Sequence, residues 1–329
     1  MHSVLSCLVT DIIGPSVLKD DLVAVVASEL SHEGGFALRE YTRSVGLVAR
    51  SLGLAAGDKV VLSPLAPSAY IRSFNELGII PVFPDVRESD ACMSPDSVSA
   101  HMSDEIQAVF LHAPLGQVPD MEYFTGLGIP LVEDIGEALG AVGSAGLLGS
   151  AGQYTLIPME MDGIATSGGG TLVLAKDKTS LTALKDATES FTPDVFLPDL
   201  NASLGLVQWR EYPQALESRD IIAVAFRQAL MKGRHRTFST TVDEETRNVP
   251  YSFPVVLDTG MNDVRRYARK KGIETVPAFS GRAIDGSPGA EGDLSVARNL
   301  MMSTLLFPLY PTLGKKNVQH MIKVLSTLP

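Results

Sequence analysis

Asp134 closes the apolar run IPLVED (129–134). A carboxylate at the C-terminal end of a buried strand stands where open α/β sheets bind their ligands. A second acid, Glu137, follows three residues later in VEDIGEALGA. Asp134 has two uses in that setting. It can face a ligand, or it can cap the helix that IGEALGA predicts. Further on, TSGGG (166–170) predicts a tight turn between two strands, since glycine alone adopts such conformations freely. Asp162 lies just before it, in the stretch DGIATSGGGTLVLA (162–175). Other chemistries find little support. The six histidines form no HxxxH or HxxE pattern, and Cys7 and Cys92 lack ligand spacing, so no metal site is expected. The two cysteines read as free, partly buried thiols of a reduced cytosol.

The elements that must position these residues alternate. DLVAVVASEL (21–30) and ALREYTRSVGLVARSLGL (37–54) have helical spacing, the second with Leu38, Tyr41, Val45, Val48 and Leu52 on one stripe. KVVLSPL (59–65) predicts a strand, SAYIRSFNELG (68–78) a helix, and IIPVFPDV (79–86) a strand. The order then repeats: the short helix DSVSAHMS, the buried strand IQAVFLHAPL (106–115), the helix PDMEYFTGLG, and IPLVEDIGEALGA as a strand running into a helix. QYTLIPM and GGTLVLAKD predict two more strands. Such alternation with continuous apolar strands predicts a mostly parallel sheet with helices on both faces.

The pattern changes near residue 200. Residues 201–233 predict one long helical region, kinked at Pro213. A smaller α+β unit follows: strands at YSFPVVLD (251–258), IETVPAF and LLFPLYP, helices at NDVRRYARKKG (262–272), LSVARNLMMS and KKNVQHMIKVLSTL. This gives a large α/β domain over 1–215 and a small α+β domain over 216–329. The Gly-rich segment 280–293 is expected to be the most mobile.

With 329 residues, 45% of them apolar, the chain can bury a large core. Its 38 acidic against 27 basic residues argue against nucleic acid or an anionic membrane as partner. No window is long and apolar enough for a membrane span, and the N-terminal MHSVLSCLVTDIIGPSVL lacks a basic leader. A soluble cytoplasmic protein is expected.

Three ordered segments, LHAPLGQVPDM (111–121), IPLVEDIGEALGA (129–141) and DGIATSGGGTLVLA (162–175), resemble the DegT/DnrJ/StrS sugar aminotransferases. SLGLAAGDKVVLSPL, GIIPVFPDV, NASLGLVQW, KKGIETVPAF and LLFPLYPTL extend the likeness over nearly the whole chain. The resemblance implies an aspartate-aminotransferase-like fold of type I, the coenzyme pyridoxal phosphate (PLP) or its amine form (PMP), a nucleotide-linked keto sugar as ligand, and a homodimer. It assigns Asp134 to the coenzyme's pyridine nitrogen, which a carboxylate keeps protonated. Glu137 falls where the family usually places Gln or His beside the phenolic oxygen. Glu40, Tyr41 and Thr42 fall on the Ser-Gly-Thr phosphate cup, with only Thr42 retained. Thr155 is the nearest counterpart of the phosphate-binding serine, and Asn201 matches a position near the coenzyme. Gly116 and Gln117 match a GQ that shapes the turn after a strand.

The family's coenzyme-binding lysine falls on Asp162, and a carboxylate cannot form an imine. Three readings follow. The chain is an active aminotransferase, a PMP-dependent dehydratase with Asp162 as base, or a binding or regulatory protein that has lost transamination. The last is the expectation carried forward.

Overall fold

A computed structural model describes residues 13–238, 246–258, 260–286 and 293–329, with Val4, Leu5, Cys7 and Val9 before them. Part of the apolar N-terminal stretch, and residues 287–292 of the Gly-rich segment expected to be mobile, lie outside the described residues.

Seven strands form the main sheet in the order β1-β9-β8-β5-β4-β2-β3. They are β1 (Gly34–Leu38), β2 (Lys59–Leu62), β3 (Ile80–Val82), β4 (Ile106–His112), β5 (Leu131–Asp134), β8 (Tyr154–Pro158) and β9 (Thr171–Ala175). Strands β3, β2, β4, β5 and β8 run parallel, while β9 is antiparallel to both β8 and β1. A two-stranded hairpin, β6 (Val142–Gly143) with β7 (Gly146–Leu147), lies apart from the sheet.

The unbroken apolar strands are explained by burial on both faces. Along β4, Ala108 and Phe110 join one core, while Val109 and Leu111 join the other. In β2, Val60 and Leu62 face the first core and Val61 the second. With a side-chain period of two, every position of such a strand must be apolar. Helices α1 (Leu18–Glu29), α2 (Tyr41–Ser51), α3 (Ala69–Leu77), α4 (Pro95–His101), α5 (Met121–Gly126) and α6 (Lys178–Thr188) accompany the sheet.

The long helix α7 (Asp199–Leu230) runs through Pro213 without a break and leads to the second unit. There β10 (Phe253–Val256), β12 (Thr304–Phe307) and β11 (Val276–Pro277) make an antiparallel sheet in that order. Helices α8 (Met261–Lys270) and α10 (Lys315–Leu325) complete the unit, whose own apolar core includes Phe226, Phe253, Leu305 and Met321, while α9 (Ser295–Ser303) sends Ala297 and Leu300 into the first core.

Three local expectations are corrected. Helix α2 begins at Tyr41, because Ala37 and Leu38 pair with Leu172 and Thr171 as part of β1. The glycines of GGFAL had hidden that strand. Residues 136–140 form a turn, so Asp134 caps no helix. Helix α6 was not foreseen; its start is fixed by Asp177, whose side chain accepts from the Ser180 N–H at 2.8 Å.

Candidate active site

Strands β4 and β5 are parallel neighbours, and their register places His112 beside Asp134 at the C-terminal end of the sheet. The Asp134 carboxylate is buried and crowded with donors. Its Oδ2 accepts from the Tyr41 hydroxyl, from the Tyr70 hydroxyl at 2.9 Å and from His112 Nδ1 at 3.3 Å. Its Oδ1 accepts from the Gly136 N–H at 3.2 Å, which explains the turn that follows.

Glu137 stands at the far side of His112. Its Oε2 accepts from the Leu115 N–H at 2.8 Å and lies 3.7 Å from His112 Nε2, an ion-pair distance too long for a hydrogen bond. Its Oε1 accepts from Arg282 Nη2 at 2.8 Å. Arg282 comes from the second unit, carried there by backbone pairing. Ala283 N–H donates to the Ala66 carbonyl at 2.8 Å and Ile284 N–H to the Pro64 carbonyl at 3.0 Å.

Tyr251 is delivered by a different joint. Val249 N–H donates to the Gly116 carbonyl at 2.9 Å. Gly116 itself sits at φ 85°, and a Cβ there would lie 1.8 Å from the Val249 carbonyl oxygen. Only glycine permits that approach. Asn248 donates to the Gln117 side chain at 3.1 Å, so Gly116 and Gln117 together fix the segment leading to Tyr251.

These groups line a cavity of about 590 Å³, which also includes Arg39, Thr42, Arg72, Glu160 and Asp162. Its electrostatics are coupled. Burial works against a charged His112, but Asp134 and Glu137 outweigh it and lift its pKa to about 9. Burial also works against the Glu137 carboxylate, yet Arg282 and His112 hold it well below the usual range. Burial, then Glu137 and Asp162, push Tyr251 upward. Burial followed by the Asp134 charge does the same to Tyr41 and Tyr70.

Of the residues singled out from the sequence, Thr42, Asp134, Glu137 and Asp162 line this cavity together with Glu40 and Tyr41. Thr155 and Asn201 do not. Thr155 is fully buried, donating to the Gly149 carbonyl at 2.7 Å and bonded to His32 at 3.1 Å. Asn201 donates to the Ser167 carbonyl at 2.8 Å, bracing the TSGGG turn. Sequence reasoning passed over Tyr70, His112, Glu160, Tyr251 and Arg282. Only His112 carried a local signal, as the last residue of a strand predicted to parallel the one ending in Asp134. No lysine lines the cavity among the described residues. Lys176, the nearest in sequence to the turn, donates to the Ser150 carbonyl at 2.6 Å. Nor do the described residues contain a cluster fit for a metal ion, or a helix long and apolar enough to cross a membrane.

A mostly parallel seven-stranded sheet, with acids at the strand ends and a small α+β unit closing the cavity, defines the type I fold of PLP-dependent aminotransferases. Within that class the chain belongs to the DegT/DnrJ/EryC1/StrS aminotransferase family, whose pattern it matches over residues 24–326. The family is one of sugar aminotransferases tied to nucleotide-sugar and polysaccharide biosynthesis. The spore coat polysaccharide biosynthesis protein SpsC of Bacillus subtilis is 24% identical, with the alignment covering 89% of this chain and 84% of SpsC. The L-glutamine:2-deoxy-scyllo-inosose aminotransferase of Streptomyces fradiae is 32% identical over 41% of this chain, a match spanning only 33% of that protein. Among solved structures, an aminotransferase from Psychrobacter cryohalolentis superposes with TM-score 0.90 at 19% identity, covering 98% of this chain and 94% of that one. The Spr1654 protein of Streptococcus pneumoniae, solved in PMP and PLP forms, superposes at 0.89 and 0.88, with 17% identity and 99% of this chain covered.

The residues present do not fit covalent attachment of the coenzyme: Asp162, which the resemblance sets at the lysine's place, offers no amine. Asp134, the acid that the resemblance assigns to the pyridine nitrogen, already holds hydrogen bonds on both oxygens. At the start of α2, where an anion would be welcomed by free N–H groups, Glu40 adds a negative charge.

Proposed function

We propose that this chain has given up lysine-dependent transamination and uses the family's cavity to bind a sugar-derived ligand, as a binding or regulatory protein. The observation that carries the reading is a cavity lined by Asp162, the residue that the resemblance sets at the lysine's place, whose described lining holds no lysine. The cavity's walls suit a polyhydroxylated, charged ligand. Arg39, Arg72 and Arg282 offer donors to anionic groups, while Glu160 and Asp162 accept from hydroxyls. Nucleotide sugars are the class favoured by relatives. One relative is a dTDP-3-amino-3,4,6-trideoxy-α-D-glucose transaminase, and one structural neighbour is a GDP-4-keto-6-deoxymannose-3-dehydratase holding GDP-perosamine. A cytoplasmic homodimer accompanies this reading, on the family resemblance alone.

The test is calorimetric titration with dTDP- and GDP-linked hexoses, run beside an amine-transfer assay with glutamate or glutamine as donor. Saturable sugar-nucleotide binding without amine transfer is expected. Multiple turnovers of amine transfer would overturn the proposal.

A further inference from the structure

Losing a lysine abolishes covalent attachment, but it does not by itself keep a coenzyme out. The amine form needs no imine, so Asp162 leaves open whether it can lodge in the cavity. The contacts of Asp134 answer that separately.

Both oxygens of Asp134 are engaged. Oδ1 accepts from the Gly136 N–H, and Oδ2 from Tyr41, Tyr70 and His112. Oδ2 already holds three donors, so a protonated ring nitrogen that reaches it must displace one of them. Tyr70 is fully buried, with its ring against Phe74 and Phe110 at centroid distances of 5.9 Å and 5.8 Å. His112 is 2% exposed and is flanked by Asp134 and Glu137. Neither can move without unpacking the core. Tyr41 differs: it is half-buried, starts a helix, borders the cavity and meets Tyr70 edge-on at 5.8 Å and 79°.

We infer that Tyr41 is a built-in substitute for a coenzyme ring, an aromatic group whose one donor satisfies Asp134 and whose bulk fills the place beside it. A phenol presents a flat ring and a single O–H much as a pyridinium presents a ring and a single N–H. Tyr41 thus adds a third donor to Asp134 Oδ2, beside Tyr70 and His112, with nothing bound. Exclusion of the coenzyme then rests on position 41 independently of position 162.

The test uses purified full-length protein and two probes, PMP and phosphate-free pyridoxamine, the second because Glu40 opposes a phosphate. Binding is read by equilibrium dialysis and by the shift of the thermal midpoint in wild type, Tyr41→Phe and Tyr41→Ala. Wild type and Tyr41→Phe, which both keep the ring, should take up neither probe. Tyr41→Ala should bind at least one of them about tenfold or more tighter than wild type, equivalent to about 1.4 kcal/mol. Its thermal midpoint, lowered by the lost donor, should rise on addition of that probe. Should Tyr41→Ala lack a cooperative transition, Tyr41→Phe decides: a lowered midpoint with no uptake supports the inference. Saturable uptake by wild type or Tyr41→Phe, or a folded Tyr41→Ala that binds neither probe, overturns it. None of these outcomes depends on amine transfer, on which the proposed function stands.

Discussion

Replacing Arg282 by Met should cost far more than the loss of a surface ion pair. The Arg282 and Glu137 side chains are 11% and 13% exposed, and their Nη2–Oε1 distance is 2.8 Å. Methionine keeps apolar contact with Phe279, over whose ring the guanidinium sits at 5.7 Å, so the change isolates the charge. Removing one member of a buried pair strands the other and costs about 3–5 kcal/mol, against about 0–1 kcal/mol for an exposed pair. The Leu115 N–H and His112 remain beside Glu137, which sets the expectation near the lower end, about 3 kcal/mol. Urea unfolding at pH 7 measures it for Arg282→Met, Glu137→Gln and the double variant. The double should lose less than the sum of the singles, because the stranded charge is gone.

Acidification adds a check. The folded pKa of Glu137 is depressed, so its contribution is present above the ordinary carboxylate pKa and is lost as pH falls through the folded value. Arg282→Met should flatten that acid limb. A loss below about 0.5 kcal/mol, or an unchanged acid limb, would refute the buried-pair argument.

Other consequences are equally open to measurement. His112, raised from 6.5 to about 9, stabilises the fold fully below pH 6.5 and loses that contribution as pH rises through 9. Denaturant titrations of wild type against His112→Asn should therefore converge by about 3 kcal/mol over that window, a shift of one pKa unit being worth about 1.4 kcal/mol. Tyr70→Phe should destabilise by about 1–3 kcal/mol, since Asp134 loses a buried donor; equal thermal midpoints would contradict this. Gly116→Ala should cost about 1–3 kcal/mol through its positive φ alone, before the clash with Val249, and should speed amide exchange in residues 247–251. Asp162→Lys alone should not confer tight PLP uptake, because Tyr41 and Glu40 remain; absorbance titration of that variant decides.

The fold was legible because its strands are continuous apolar runs of the right length, and burial on both faces leaves no other use for them. Strand β1 escaped notice because its two leading glycines resemble a turn, and only pairing with β9 makes it a strand. The helix expected after Asp134 failed for a similar reason. IGEALGA has the spacing, but Asp134 Oδ1 binds Gly136 N–H and Glu137 reaches Arg282, contacts that a turn permits. Asp134, Glu137, Asp162 and Thr42 were singled out because they sit on ordered segments with a family pattern, and all four line one cavity. Arg282 lies 145 residues from Glu137 and Tyr251 opens a segment read only as a small-unit strand, so only the packing of the second unit against the first reveals them. Thr155 was chosen by proximity along the chain, yet its side chain turns to Gly149 and His32.

The most direct measurement is covalent. Wild-type protein incubated with PLP and reduced with borohydride should show, by peptide mass spectrometry, no pyridoxyl group on any peptide lining the cavity, and its absorbance should remain that of free PLP. A stoichiometric adduct on one lysine, retained through the reduction and protected by a sugar nucleotide, would contradict the account and make the chain a working transaminase.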